Sequence, residues 1–265
     1  MPKIDNIGFG EFTALKMDVL EKIFDMHLAI TQAVLHNRKS FRQVYTYVDA
    51  TAGKGIVPGT TIPGSPLVFL NSVHSGNIHM PYQAHFIECE ETNFHELEKN
   101  VLCRSKQCNL DITNRVQFHL NRYEHIIPTI LGGINNRELG LVFIDHSGDL
   151  PDFNTIRDIS RIRPRMELLI YLSARNIKRL YHRTKKSLLD YMRQISKQNW
   201  LIRKPVKCDI HEWTFLLGSN TEIFKNYKKI DFFRLDSEEA QSFFPKLNLT
   251  SKQRMERLQP RLPSL

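Results

Sequence analysis

Cysteine is scarce in this chain: Cys89, Cys103, Cys108 and Cys208 are the only four in 265 residues, and no two stand as C-x-x-C. No histidine sits at zinc-finger spacing from them, so four ordinary thiols of a reducing compartment are expected and no metal site. Long apolar runs are also missing. Nothing approaches the roughly 20 residues that cross a bilayer, and Met1-Pro2-Lys3-Ile4-Asp5 lacks the hydrophobic core of a signal peptide. These absences lead us to expect a cytoplasmic protein with no membrane partner. Repeats and low-complexity tracts are absent too. With 41% hydrophobic and 25% charged residues, wholesale disorder is excluded.

Several catalytic fingerprints are lacking as well. There is no G-x-G-x-x-G, which counts against a nicotinamide dinucleotide, and no G-x-x-x-x-G-K-[ST], which counts against a P-loop despite Lys54. Ser65, in Gly64-Ser65-Pro66, is no nucleophile elbow because G-x-S-x-G is absent.

Positive charge is abundant and regional. The formal balance is +9, yet Arg157 to Lys207 holds fifteen Lys/Arg against Asp158, Glu167 and Asp190, a local +12. The remaining chain is slightly acidic. A concentrated excess points to a polyanionic partner better than a diffuse one does.

Hydrophobic periodicity organises the chain. Phe12, Leu15, Leu20, Ile23, Phe24, Leu28, Ile30 and Val34 predict one long helix over 11–36. β-Branched and aromatic runs predict strands at Val44–Val48, Ala84–Glu88, Val116–Leu120, Leu141–Asp145 and Met166–Leu172. Helical stretches lie between them: one starting near Leu67, then Asn93–Leu102 capped by Thr92 or Asn93, 122–131 and Asn154–Ile162. Such alternation implies βαβ crossovers and a parallel sheet. After a helix expected over Arg175–Lys197, Trp200–Lys204 and Ile210–Leu217 are joined by a short connection containing Pro205, which favours an antiparallel hairpin. Ser237 and Thr250 read as helix caps. The expected organisation is an N-terminal helical segment (1–40), an α/β domain (41–220) and a C-terminal extension (221–265) packed on it.

In open parallel sheets, ligands bind beyond the carboxyl ends of the strands. The first strand ends on Asp49 and enters a loop with Ala52, Gly53 and Gly55, where glycine permits sharp turns and close backbone approach. Glu88 ends the second strand, placed to accept the hydroxyls of a ribose. Asn121 follows the third, where an adenine edge would fall, and Asp145 ends the fourth. Any one of these occurs by chance; four successive strand tips together point to a nucleoside-type cofactor pocket.

These segments resemble a known family. Phe12-Thr13-Ala14-Leu15-Lys16, Tyr47-Val48-Asp49-Ala50-Thr51-Ala52-Gly53-Lys54-Gly55, Pro63-Gly64-Ser65-Pro66-Leu67, Phe86-Ile87-Glu88 and Phe143-Ile144-Asp145 resemble the three-Cys-motif partner (TcmP) proteins and, more broadly, class I methyltransferases dependent on S-adenosylmethionine (SAM). The likeness covers about residues 12–180. It implies a Rossmann-like sheet of parallel strands finished by an antiparallel hairpin, and SAM as cofactor, with Asp49, Ala52, Gly53, Gly55, Glu88 and Asn121 around it.

The fourth strand tip departs from the pattern. Amino-methyltransferases of adenine or cytosine carry [D/N/S]-P-P-[Y/F/W] there, the aromatic stacking on the flipped base; this chain has Asp145-His146-Ser147-Gly148. Asp145 can orient an acceptor and His146 can act as a base near neutral pH, with the aromatic missing unless Phe153 or Tyr171 supplies it; the alternative is that both residues simply end the strand. Arg175, Lys178, Arg179, His182, Arg183 and Lys186 recur at three- and four-residue spacing, so one helix face would track a phosphate backbone; a solvated face is the alternative, and the local concentration of charge favours nucleic acid. The expectation is a SAM-dependent methyltransferase acting on nucleic acid. The alternative is a non-catalytic module that binds nucleic acid or a protein partner on a vestigial fold.

Overall fold

A computed structural model describes residues 11–37, 43–75, 78–135, 137–146, 150–184, 186, 188–208 and 211–243. The long amphipathic stretch forms helix α1 (Glu11–Asn37). Alternating β-strands and helices follow: β1 (Tyr45–Asp49), α2 (Ser65–His74), β2 (Tyr82–Glu88), α3 (Glu91–Gln107), β3 (Val116–Leu120), α4 (Tyr123–Gly133), β4 (Leu139–Ile144), α5 (Phe153–Ile162) and β5 (Met166–Ser173). Then come α6 (Ala174–Thr184), α7 (Leu188–Met192), β6 (Asn199–Arg203), β7 (Val206–Cys208), β8 (His211–Ser219), α8 (Phe224–Tyr227), a 3-10 turn (Lys228–Ile230), β9 (Phe232–Arg234) and α9 (Glu238–Phe243).

The sheet runs β3-β2-β1-β4-β5-β8-β6-β9, with β7 paired to β8. The pairings among β1 to β5 are all parallel. β8 is antiparallel to both β5 and β6, so the short connection through Pro205 does lead into an antiparallel pair. The chain leaves β1 toward β2 on one side and returns to β4 on the other, and the crevice between their carboxyl ends is where such sheets bind ligands.

Each face of the sheet is covered because successive strand residues point to opposite sides. Tyr45, Tyr47, Phe86, Phe143 and Phe215 pack beneath α1, α2 and α3. Tyr47 stacks on Phe69 of α2 at 4.0 Å, and Phe24 of α1 meets Tyr47 edge-on at 5.3 Å. Such pairs contribute about 0.5–1.5 kcal/mol each beyond their area. Val48, Ile87, Val142, Ile144 and Ile170 pack on the other face, under α4, α5 and α7.

Two helix boundaries differ from the sequence expectation. The 175–197 helix is two pieces. Thr184 Oγ1 bonds back to the carbonyl of Leu180 at 2.8 Å and also accepts the amide of Lys186, a local pattern that competes with helix continuation. α3 begins at Glu91 with Glu90 at the N-cap, ahead of Thr92 and Asn93, because the carbonyl of Glu90 already accepts the amide of Phe94. Ser237 does cap α9, accepting the amide of Ala240 at 3.1 Å, while Thr250 lies outside the described residues. Beyond β8, β9 adds to the edge of β6 and buries Phe232.

Candidate functional site

The loop after β1 is threaded between its two neighbours. The amide of Ala50 donates to the carbonyl of Phe143 on β4, and that of Ala52 to Ile87 on β2, both at 2.9 Å. Gly53 and Gly55 then turn the chain at φ +60° and +73°, a region L side chains enter at a cost. The reasons for glycine differ. A Cβ on Gly53 would meet nothing within 4 Å, so space is open above it, whereas one on Gly55 would stand 3.1 Å from Leu97. The loop is fastened by the amide of Gly64 on the carbonyl of Gly55 at 2.8 Å, and by Asn100 Nδ2 on that of Lys54.

Asp49 is not at the surface of this crevice. It is fully buried, accepting the amide of Thr51 and the hydroxyl of Tyr47, each at 3.2 Å, and a bond from Ser65. Burial pushes its carboxyl up to about 7, helped by the nearby charge of Asp145 and opposed by those hydrogen bonds. It anchors the loop from below.

Glu88 and Asp145 flank the loop at the same height. Asp49 pairs in register with Phe86 and with Phe143, and each acid stands two residues beyond its partner. Glu88 is 8% exposed. Its Oε1 accepts the amides of Cys89 and Glu90 at 2.9 and 2.8 Å, which fixes the carboxylate; no described residue bonds to Oε2. The amide of Asn121 donates to the carbonyl of Glu88 at 3.0 Å, so the β2 and β3 tips are held together with the Asn121 side chain exposed.

At the β4 tip the arrangement was not legible from sequence. The amide of Asp145 donates to Thr51 Oγ1 at 2.9 Å, and its Oδ2 is paired with Lys16 Nζ at 2.7 Å, both side chains about one-seventh exposed. Lys16 comes from α1, and its ammonium lies 4.7 Å from the Tyr171 ring centroid and 5.9 Å from that of Phe12. Tyr171 therefore is the aromatic group beside Asp145; burial and the Asp145 charge hold its hydroxyl above the usual phenol range. Phe153 points elsewhere and stacks on Tyr191. His146 is half-buried against the edge of Tyr123, 6.2 Å between centroids, and its Nδ1 has no hydrogen-bond partner among the described residues. The sequence signal for Lys16 was its four-residue spacing from Phe12.

The basic residues follow β5 directly. Arg175, Arg179, His182 and Arg183 are exposed on α6, and Lys178 belongs to the same helix. Lys186 is exposed but stands past the helix end. Arg163, which precedes β5 within the same basic stretch of sequence, is buried and donates to the carbonyl of Ile134, a structural role. Among the described residues no group of three His, Cys, Asp or Glu side chains is placed to hold a metal, and no helix is long and apolar enough to cross a membrane.

Strand order, the reversed β8 and helices on both faces define a Rossmann-like fold of the class I methyltransferase type. Among solved structures, the chain is similar to a Legionella pneumophila protein of the DUF519 family, with a TM-score of 0.54 at 15% identity, covering 88% of this chain and 94% of that one. A human methyltransferase 10 domain containing protein gives 0.43 at 12% identity over 76% and 83% of the two chains. The N-terminal domain of human METTL16 in complex with SAH gives 0.40 at 11% identity over 74% and 69%. No family model and no curated protein matches the sequence.

Proposed function

We propose that this chain is a SAM-dependent methyltransferase acting on nucleic acid. The observation that carries the reading is the Glu88 carboxylate beside the Gly53 turn: one oxygen is pinned by two amides, and the other is left to accept ribose hydroxyls. The open space above Gly53 fits a ligand lying on the loop. Ala52, Gly53 and Gly55 would offer backbone, and Asn121 an amide for the adenine edge. Asp49 supports them from beneath. When bound, SAM supplies a methyl group made electrophilic by its sulfonium. The chain's own part is to orient the acceptor and receive its proton. Lys16 holds Asp145 Oδ2, so the acceptor contact falls to Oδ1, and the neighbouring His146 imidazole, whose Nδ1 is buried without a partner among the described residues, is the candidate to take the proton.

The exposed Arg175, Arg179 and Arg183 support a polyanionic acceptor. The likeness to the three-Cys-motif partner family belongs to the same reading, since Phe12 and Lys16 of its first segment both lie near the β4 tip. Incubation with methyl-labelled SAM and separate RNA, DNA and protein fractions tests it: label in a nucleic-acid fraction is expected, and label confined to protein overturns the choice of acceptor. A second reading rests on the Lys16–Asp145 pair, which closes the acid that catalysis would use. In that reading the fold binds nucleic acid without transfer, and no fraction gains label while salt-sensitive binding persists.

A further inference from the structure

Beside the β4 tip, on the α5 side of the sheet, lies a cavity of about 310 Å³ whose walls include Phe153, Arg157, Leu180, Arg183, Thr184 and Tyr191. That volume is at the lower end of the roughly 300–1,000 Å³ of small-ligand sites. Phe153 and Tyr191 form one aromatic wall, stacked at 4.6 Å and 27°. Arg157 is one-third exposed, and its Nε is buried with no hydrogen-bond partner among the described residues; it forms an ion pair with Asp158 at 3.7 Å, too long for a hydrogen bond. The cavity's one acid, Asp152, is occupied. Its carboxylate accepts the amides of Asn154 and Thr155 and the Thr155 hydroxyl, which keep it ionised; with Arg157 and Arg183 set against it, the lining still carries a net positive charge.

Two connections place this cavity along a path. Arg183 belongs both to its wall and to the basic face of α6. At its other end Asp152 donates its amide to Tyr123 Oη at 2.9 Å, and Tyr123 packs against His146. A cationic helix face thus borders a cavity with an aromatic wall, and contacts through Asp152 and the buried Tyr123 join that cavity to His146 at the β4 tip.

We propose that the cavity takes one base of a single-stranded polynucleotide, stacked on the Phe153–Tyr191 wall with its phosphate between Arg157 and Arg183. This base flanks the acceptor nucleotide, because Tyr123 and His146 stand between the cavity and Asp145. The inference rests on the nucleic-acid reading above. Aromatic faces stack on any base, and guanidinium groups pair with phosphate, so the chemistry is that of a nucleotide in either RNA or DNA.

The test uses the full chain with fluorescent 20-nucleotide RNA and DNA carrying 4-thiouridine or 4-thiothymidine. Anisotropy reads affinity, and photocrosslinking with peptide mapping reads the site. Crosslinks at Phe153 or Tyr191 are expected with at least one strand type, and the strand that binds tighter identifies the source. Tyr191→Leu weakens binding about 5- to 150-fold, the range of one base–aromatic stack, and Tyr191→Phe restores it. Arg157→Gln weakens binding and reduces its salt dependence. Circular dichroism melts confirm that each variant is folded. Tight binding with crosslinks only on the exposed face of α6, unmoved by Tyr191→Leu, overturns the cavity and leaves the nucleic-acid reading standing. If folded wild-type protein binds neither strand, the nucleic-acid reading itself is overturned and the cavity proposal with it.

Discussion

Replacing Asp49 by asparagine gives a sharp test of how the cofactor loop is built. The carboxyl is fully buried and its midpoint is pushed up to about 7 from an ordinary 3.8, chiefly by burial. A carboxylic acid whose folded midpoint exceeds its unfolded one withdraws stability as pH rises between the two values, because the unfolded chain releases a proton that the folded protein retains. Each pH unit in that window costs about 1.4 kcal/mol. Between pH 5 and the midpoint near 7 the wild type therefore loses about 2–3 kcal/mol through this group. Above the midpoint the loss is complete. Asparagine does not titrate, keeps an oxygen for the Thr51 amide, and sacrifices about 1 kcal/mol of hydrogen bonding elsewhere in the cluster. Urea denaturation of both proteins at pH 5 and pH 8 isolates the effect, since other titrating groups cancel in the difference. Asp49→Asn should gain about 2–3 kcal/mol relative to wild type on moving from pH 5 to pH 8. A gap that stays constant between the two pH values would refute the assignment of Asp49 as a buried anchor with a raised midpoint.

Other consequences are simpler to check. Gly53→Ala and Gly55→Ala both incur the left-handed backbone cost of about 1–2 kcal/mol. Gly55→Ala also crowds Leu97, so in urea melts it should be the more destabilising by about 1 kcal/mol; equal losses would mean the Leu97 contact relaxes freely. On the basic face, the Arg175→Gln/Arg179→Gln double variant should lower the slope of log affinity against log salt for nucleic acid by about 1.4–1.8. An unchanged slope would show that this face does not track phosphates.

Much of the fold was legible because it is local. Val44–Val48 and Met166–Leu172 are apolar runs of strand length, and Pro205 with its short connection announced the reversed strand. The helix over 175–197 was misjudged at Thr184, where a side-chain hydroxyl competes for backbone bonds that no hydrophobic pattern records. The turn at Gly53 and Gly55 and the strand-end position of Glu88 were readable because turn geometry and strand ends are encoded in sequence. The partner of Asp145 was not. Lys16 lies 129 residues away and arrives only when α1 packs across the sheet. Asp49 was placed correctly along the chain, yet its burial depends on Tyr47 and Ser65 closing over it, a tertiary property. The Phe153–Tyr191 wall likewise joins residues from α5 and α7 whose spacing in sequence carries no pattern.

The central claim is that Glu88 receives a ribose beside the Gly53 turn. Glu88→Gln is the cleanest perturbation, since the glutamine oxygen can keep the Cys89 and Glu90 amides while its nitrogen replaces the free acceptor oxygen with a donor. Calorimetric titration of S-adenosylhomocysteine into the wild type and the variant measures the effect directly. Wild type should bind one equivalent, and Glu88→Gln should bind about 10- to 150-fold more weakly, the loss of one hydrogen bond to a charged group. Absence of binding by folded wild type, or equal affinity in the variant, would contradict it.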